Sequence, residues 1–174
     1  MAGVWLGAAG CGGAEQDDLV RKTIGPAGGL VSSHDDVLTI VLQPGALQSE
    51  EEIEIFPSDE PPPSFGSAYR VRPDLVLRID AEIIYRRVLP SDPETAMVGA
   101  IRFDDYGAQM GYWRLQPRLA LDAEQQWVIA SDDELSLYYG LVQAEPEDLP
   151  ELPPSDDVDG STSMEDDSTG TTGG

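Results

Sequence analysis

Between Leu19 and Gln143 apolar residues return at every second position, in short runs cut by Gly, Pro and Asp. A period of two places alternate side chains on opposite sides of an extended chain, so the pattern predicts antiparallel strands. Glu52-Ile53-Glu54-Ile55 alternates cleanly. Leu75, Leu77, Ile79, Ala81, Ile83 and Tyr85 do so over a longer stretch, with Arg78, Asp80, Glu82 and Arg86 facing outward. Residues 37–42 are almost wholly apolar and rich in β-branched side chains, which suits a strand covered on both faces. Further strands are predicted at 30–31, 100–103, 112–115, 126–130 and 135–139, with turns at Gly25-Pro26, Pro44-Gly45, 61–63, 90–93, 105–107 and 121–124. Residues 94–98 offer at most one helical turn. Strands at this spacing without intervening helices predict an all-β fold, a single antiparallel β-sandwich.

The ends of the chain depart from this pattern. Residues 144–174 hold ten acids and no base, several Pro, and only Leu149, Leu152, Val158 and Met164 as large apolar groups. Such a segment buries too little apolar surface to offset its chain entropy, so an acidic, disordered C-terminal tail is expected. Residues 1–18 open with a small apolar run that leads into Cys11-Gly12-Gly13. This resembles the end of a bacterial lipoprotein signal peptide, whose Cys becomes the acylated first residue of the mature chain. The resemblance implies lipid attachment at Cys11 and a disordered N-terminal tether over 12–18. Ala8 stands where such signals usually carry Leu, and no base precedes the apolar run; a start codon upstream of Met1 would account for the missing charge. The alternative is a disordered N-terminus with a free thiol. The expected organisation is therefore 1–18, 19–143 and 144–174.

Charge narrows the function classes. Ten Lys+Arg against 33 Asp+Glu give a net charge of -23 and a pI near 4.1. Phosphate backbones and anionic lipid surfaces are repelled, so no nucleic-acid partner is expected, and membrane contact is expected through a lipid anchor only. One Cys and one His permit neither an intramolecular disulfide nor a structural zinc site with four Cys/His ligands.

The stretch Thr23-Ile-Gly-Pro-Ala-Gly-Gly-Leu-Val31, then Val37-Leu-Thr-Ile-Val-Leu-Gln-Pro-Gly-Ala-Leu47 and Glu52-Ile-Glu-Ile55, resembles the opening of the ZU-five domain. That domain occurs in zonula-occludens, netrin-receptor and ankyrin proteins and in bacterial surface proteins. Its two signatures are the Gly28-Gly29 turn before a strand and the Pro44–Leu47 turn closing the next. The likeness continues more loosely through Gly66–Tyr69, Leu75–Ile79, Tyr112–Leu115, Trp127–Ala130 and Leu135–Leu141. Independently of the family, Gly28-Gly29 can supply positive φ in a tight turn, and Pro44 fixes φ for the turn that Gly45 completes. The resemblance implies a scaffold that binds other proteins. Some relatives cut themselves at His-Phe-Ser near the last strand; the corresponding residues here are Glu134-Leu135-Ser136. With Glu134 in place of the activating His, Ser136 is expected to be a poor nucleophile.

Other constellations are weighed on the same footing. Ser32-Ser33-His34-Asp35 contains the residue types of a hydrolase triad, but neighbours in an extended chain point to alternating sides, and His34 is read as a solvated turn residue. Asp35-Asp36, Asp104-Asp105 and Asp132-Asp133-Glu134 are read as acidic loops, with calcium binding as the rival reading. Ser155, Asp157, Asp159-Gly160 and Asp166 have EF-hand spacing, but their Pro-rich and Gly-rich flanks are read as linker. Among Tyr106, Tyr112, Trp113, Trp127, Tyr138 and Tyr139, alternation predicts one inward and one outward ring in each of Tyr112-Trp113 and Tyr138-Tyr139. Arg86-Arg87 is expected to put one guanidinium on each face. No catalytic, cofactor-binding or metal-ligating residue is assigned, and no cofactor is expected. The expected function is a non-catalytic interaction module of the cell envelope, lipid-anchored at the outer membrane or cell surface, presenting itself to a protein partner. Its rivals are a calcium-dependent adhesion or glycan-binding module and a self-processing domain acting through Ser136.

Overall fold

The computed structural model describes residues 18–62, 64–102 and 113–145, in eleven strands and one 3-10 turn. The strands are β1 (Val20–Ile24), β2 (Gly29–Ser32), β3 (Leu38–Leu42), β4 (Glu51–Ser58), β5 (Ala68–Arg72), β6 (Leu75–Arg86), β7 (Ala96–Ile101), β8 (Arg114–Leu115), β9 (Arg118–Asp122), β10 (Trp127–Leu135) and β11 (Tyr138–Gln143). They form two antiparallel sheets, six-stranded in the order β1-β4-β5-β11-β7-β8 and five-stranded in the order β2-β3-β6-β10-β9. Neither closes into a barrel. The fold is all-β.

Alternation explains the core. Leu38, Ile40 and Leu42 of β3, with Ala81, Ile83 and Tyr85 of β6, join Ile53, Ile55, Tyr69, Val98, Tyr139 and Leu141 of the other sheet in one buried cluster. Each buried Ile or Leu contributes roughly 1.5–3 kcal/mol relative to exposure. The outward side of β3 is partly closed as well: Thr39 is buried, its hydroxyl 2.8 Å from that of Ser32 on β2.

Several strands depart from the expected pattern. β1, β5 and β9 carry too few apolar residues to stand out, and β1 and β9 are sheet edges that bury little. β7 starts at Ala96, directly after the 3-10 turn Pro93–Thr95, where one helical turn is expected over 94–98. The turn expected over 121–124 falls later, because β9 runs through Asp122 before the chain reverses into β10. Ile79 is exposed rather than inward. The register between β6 and β10 shifts between Asp132 and Glu134, and this bulge releases Ile79 from the alternation. Arg86 and Arg87 are both exposed.

Of the glycine pair in the first turn, only Gly28 needs its freedom. Its φ is +75°, and a Cβ there would lie 2.5 Å from the Leu42 carbonyl oxygen; Gly29 takes an ordinary φ. The Gly45 amide donates to the Pro26 carbonyl at 2.8 Å, so the two turns that carry the family likeness brace each other.

A second apolar layer lies on the outer side of the six-stranded sheet. Met97, Val142 and Ala144 form one buried group and Ile101, Leu137 and Tyr138 another, and Trp113 packs against both. The alternation expected for Tyr138-Tyr139 holds, but the outer ring is covered as well, so both are buried. Tyr139 faces the core, while Tyr138 on the other side lies under the Arg70 guanidinium, 5.5 Å from its ring centroid, and donates its hydroxyl to Glu60. Room for the Trp113 indole comes from Gly99 and Gly140, which face each other across β7 and β11. A Cβ at Gly140 would lie 2.9 Å from Trp113 Cη2 and 3.0 Å from Ser64 Cβ. Gly140→Ala is expected to cost about 1–3 kcal/mol by overpacking and to red-shift tryptophan emission, as read by denaturant unfolding with fluorescence. Unchanged stability and emission would contradict this packing.

Candidate functional site

Ionisable and nucleophilic groups converge where β10 leaves the five-stranded sheet and β11 enters the six-stranded one, with only Ser136-Leu137 between them. Along β10 the inward positions are Val128, Ala130 and Asp132. A carboxylate thus occupies a core position, with its side chain fully buried. Burying a charge is costly unless donors surround it. Here the Ser136 hydroxyl and the Tyr139 hydroxyl each donate to Oδ2 at 2.9 Å, and the Glu134 amide donates to Oδ1 at 3.3 Å. Arg102 Nη2 lies 3.4 Å from Oδ1. The Tyr139 hydroxyl also accepts the Ser136 amide at 2.9 Å, which satisfies a backbone donor at the crossing.

Arg102 serves three acids. Besides Asp132, its guanidinium lies 2.5 Å from Asp133 and 2.5 Å from Glu134. Burial pushes the Asp132 carboxyl above its ordinary range, against the hydrogen bonds from Ser136 and Tyr139. Burial also raises Glu134, with Arg102 opposing and Asp132, Asp74 and Asp133 adding to the shift. Burial alone would lower Arg102, but the three surrounding acids outweigh it and raise it. Tyr139, wholly enclosed beside Asp132, stays protonated well above its usual range.

Sequence reasoning read residues 132–134 as an acidic loop; they lie inside β10. Asp132 and Tyr139 were missed as partners. The available signal was parity, since Asp132 continues the inward series of Val128 and Ala130. Glu134 turns its carboxylate to Arg102. Ser136 is fully buried and held by Asp132. Asp132 accepts from Ser136, Tyr139 and the Glu134 amide together, so the serine hydroxyl is tied into this network.

A second polar group sits in the β2–β3 turn. Asp35 accepts the Tyr69 hydroxyl at 2.6 Å, the Ser33 hydroxyl at 2.7 Å and the Val37 amide at 3.4 Å. Burial works to raise this carboxyl, but the hydrogen bonds prevail and hold it below its ordinary value. Ser33 and Asp35 therefore meet, whereas the exposed His34 faces Asp18 at 3.7 Å, so the triad residue types do not assemble. Asp18, His34, Asp35, Pro57 and Tyr69 line a depression of about 260 Å³. Among the described residues no group of three or more His, Cys, Asp or Glu is placed to hold a metal ion. Cys11, Asp104-Asp105, Tyr106, Tyr112 and the EF-hand-like spacing from Ser155 to Asp166 lie outside the described residues. No protein-family model matches the chain, and no curated protein matches it.

Two outcomes follow from this cluster. Ser136→Ala is expected to cost about 1 kcal/mol, and Asp132→Ala about 3 kcal/mol, because it leaves the Ser136 and Tyr139 donors and the Arg102 charge facing an apolar gap. Denaturant unfolding checks both, and equal small losses would contradict the ranking. The pH dependence has a definite sign. Asp132 and Glu134 keep their protons to higher pH folded than unfolded, so folding takes up protons in the window above the ordinary carboxylate range. Their contribution is complete below that range and is lost as pH rises through the folded values. The lowered Asp35 works oppositely, at and below its ordinary value. The melting midpoint should therefore fall as pH rises above the ordinary carboxylate range, and Asp132→Asn should flatten that slope.

Proposed function

We propose that the chain is a non-catalytic interaction module of the cell envelope. The two sheets act as layers of one ZU-five-like antiparallel β-sandwich, residues 12–18 as a tether from a lipid on Cys11, and the acidic residues beyond Ala144, which is itself packed into the domain, as a spacer. The observation that carries the reading is the use made of the buried polar groups. Asp132, Ser136, Tyr139 and Arg102 bond to one another across the β10–β11 crossing, as structural networks do. The ZU-five likeness of residues 23–55 supports the binding role, and the signal-like run ahead of Cys11 supports the anchor.

Mass and labelling test this together. Purified chain should give one intact mass, and its melting midpoint should not move with calcium. A break between Leu135 and Ser136 that vanishes in Ser136→Ala would establish the self-processing rival, which the 2.9 Å Ser136–Asp132 contact favours. A calcium-raised midpoint would establish the adhesion rival. In native cells, expressed from its own locus, the chain should take up a fatty-acid analogue through Cys11; no label on that product would refute the anchor.

A further inference from the structure

The outer side of the five-stranded sheet is unlike the rest of this acidic surface. Register places Ser32, Thr39, Ile84, Ile129 and Ala120 in one row across all five strands. On one flank Leu30, Val41, Glu82 and Ser131 form the next row; on the other, Arg86 stands beside Trp127, and Trp127 beside Asp122. Ile84, Ile129, Val41 and Trp127 are all partly exposed, and Leu30 is 51% exposed. A solvated sheet face normally carries polar side chains at these outward positions. The matching side of the six-stranded sheet has Trp113 laid over its apolar groups.

Charge on this face points to its occupant. Glu82 and Arg86 sit two residues to either side of Ile84 on β6, the middle strand, and share its face. Gln43 Nε2 donates to Glu82 at 3.3 Å and holds that carboxylate beside the apolar row. A two-fold axis lying between two such faces, perpendicular to β6, reverses the strand. It sets Ile84 on Ile84 and Ile129 on Ile129 of the second copy, and each Glu82 on the other copy's Arg86. An isologous contact requires this self-complementarity. We infer that the outer face of the five-stranded sheet docks a second copy of this chain, face to face, with Ile84 at the two-fold axis. The contact is independent of lipid attachment. Twenty acids against ten bases in the described residues make the two copies repel at distance, so association should be weakest at low ionic strength.

Sedimentation equilibrium of the full chain over a range of concentrations tests this. A monomer–dimer equilibrium is expected, weakened at least about tenfold by Ile84→Glu, a centrally placed contact. Glu82→Arg should also weaken it by setting arginine against arginine, and adding Arg86→Glu to that variant should restore it, because the swapped pair is again complementary. A circular-dichroism melt of each variant shows that it is folded. A chain that stays monomeric at all concentrations would overturn the proposal. So would a dimer indifferent to Ile84→Glu, which would place the contact elsewhere, or a charge-swapped double variant no better than the single.

Discussion

The chain passes from one sheet to the other between β10 and β11 in two residues, and that buried crossing constrains the rest of the molecule. Backbone polar groups at a buried crossing find no water, so side chains must serve them. The Tyr139 hydroxyl does so: it accepts the Ser136 amide and lies 3.1 Å from the Glu134 carbonyl oxygen. Asp132 in turn fixes both hydroxyls, and Arg102 balances Asp132 and its two acidic neighbours. The polar cluster is thus the solution to a topological problem. Its chemistry follows from its position, with acids raised by burial and a serine committed to a carboxylate.

Around that crossing the two sheets solve their burial differently. Their inner faces meet in one core. The outer face of the six-stranded sheet is covered at β7 and β11 by Trp113, which fits because two glycines leave a flat notch. The outer face of the five-stranded sheet leaves Leu30, Val41, Ile84, Trp127 and Ile129 partly exposed, and in the proposed dimer a second copy supplies the cover that the chain's own side chains give on the other side. This asymmetry links packing to function. The six-stranded sheet has an intramolecular lid over β7 and β11, and the five-stranded sheet without one is free to dock.

Much of this was legible in the sequence where burial is one-sided. The alternation of β4 and most of β6, the apolar run of β3 and the positive φ of Gly28 and Gly45 all follow from local pattern. Edge strands were harder to read, because β1 and β9 bury so little that selection for apolar residues is weak. Burial of Tyr138 in addition to Tyr139 depends on Arg70, Glu60 and Trp113, which are distant in sequence. The notch depends on Gly99 and Gly140 being register partners, which no local window reveals. Asp132 was hidden by its composition: a run of three acids looks like a turn, and only its parity with Val128 and Ala130 shows that it points inward.

The polar cluster at the β10–β11 crossing acts as a rigid structural clamp. Native-state hydrogen exchange of the Ser136 amide measures this directly. If the clamp holds, that amide exchanges only through global unfolding, with the same free energy and denaturant dependence as core amides of β6 and β11. Exchange through a small local opening, insensitive to denaturant, would show the crossing to be mobile and would contradict the account.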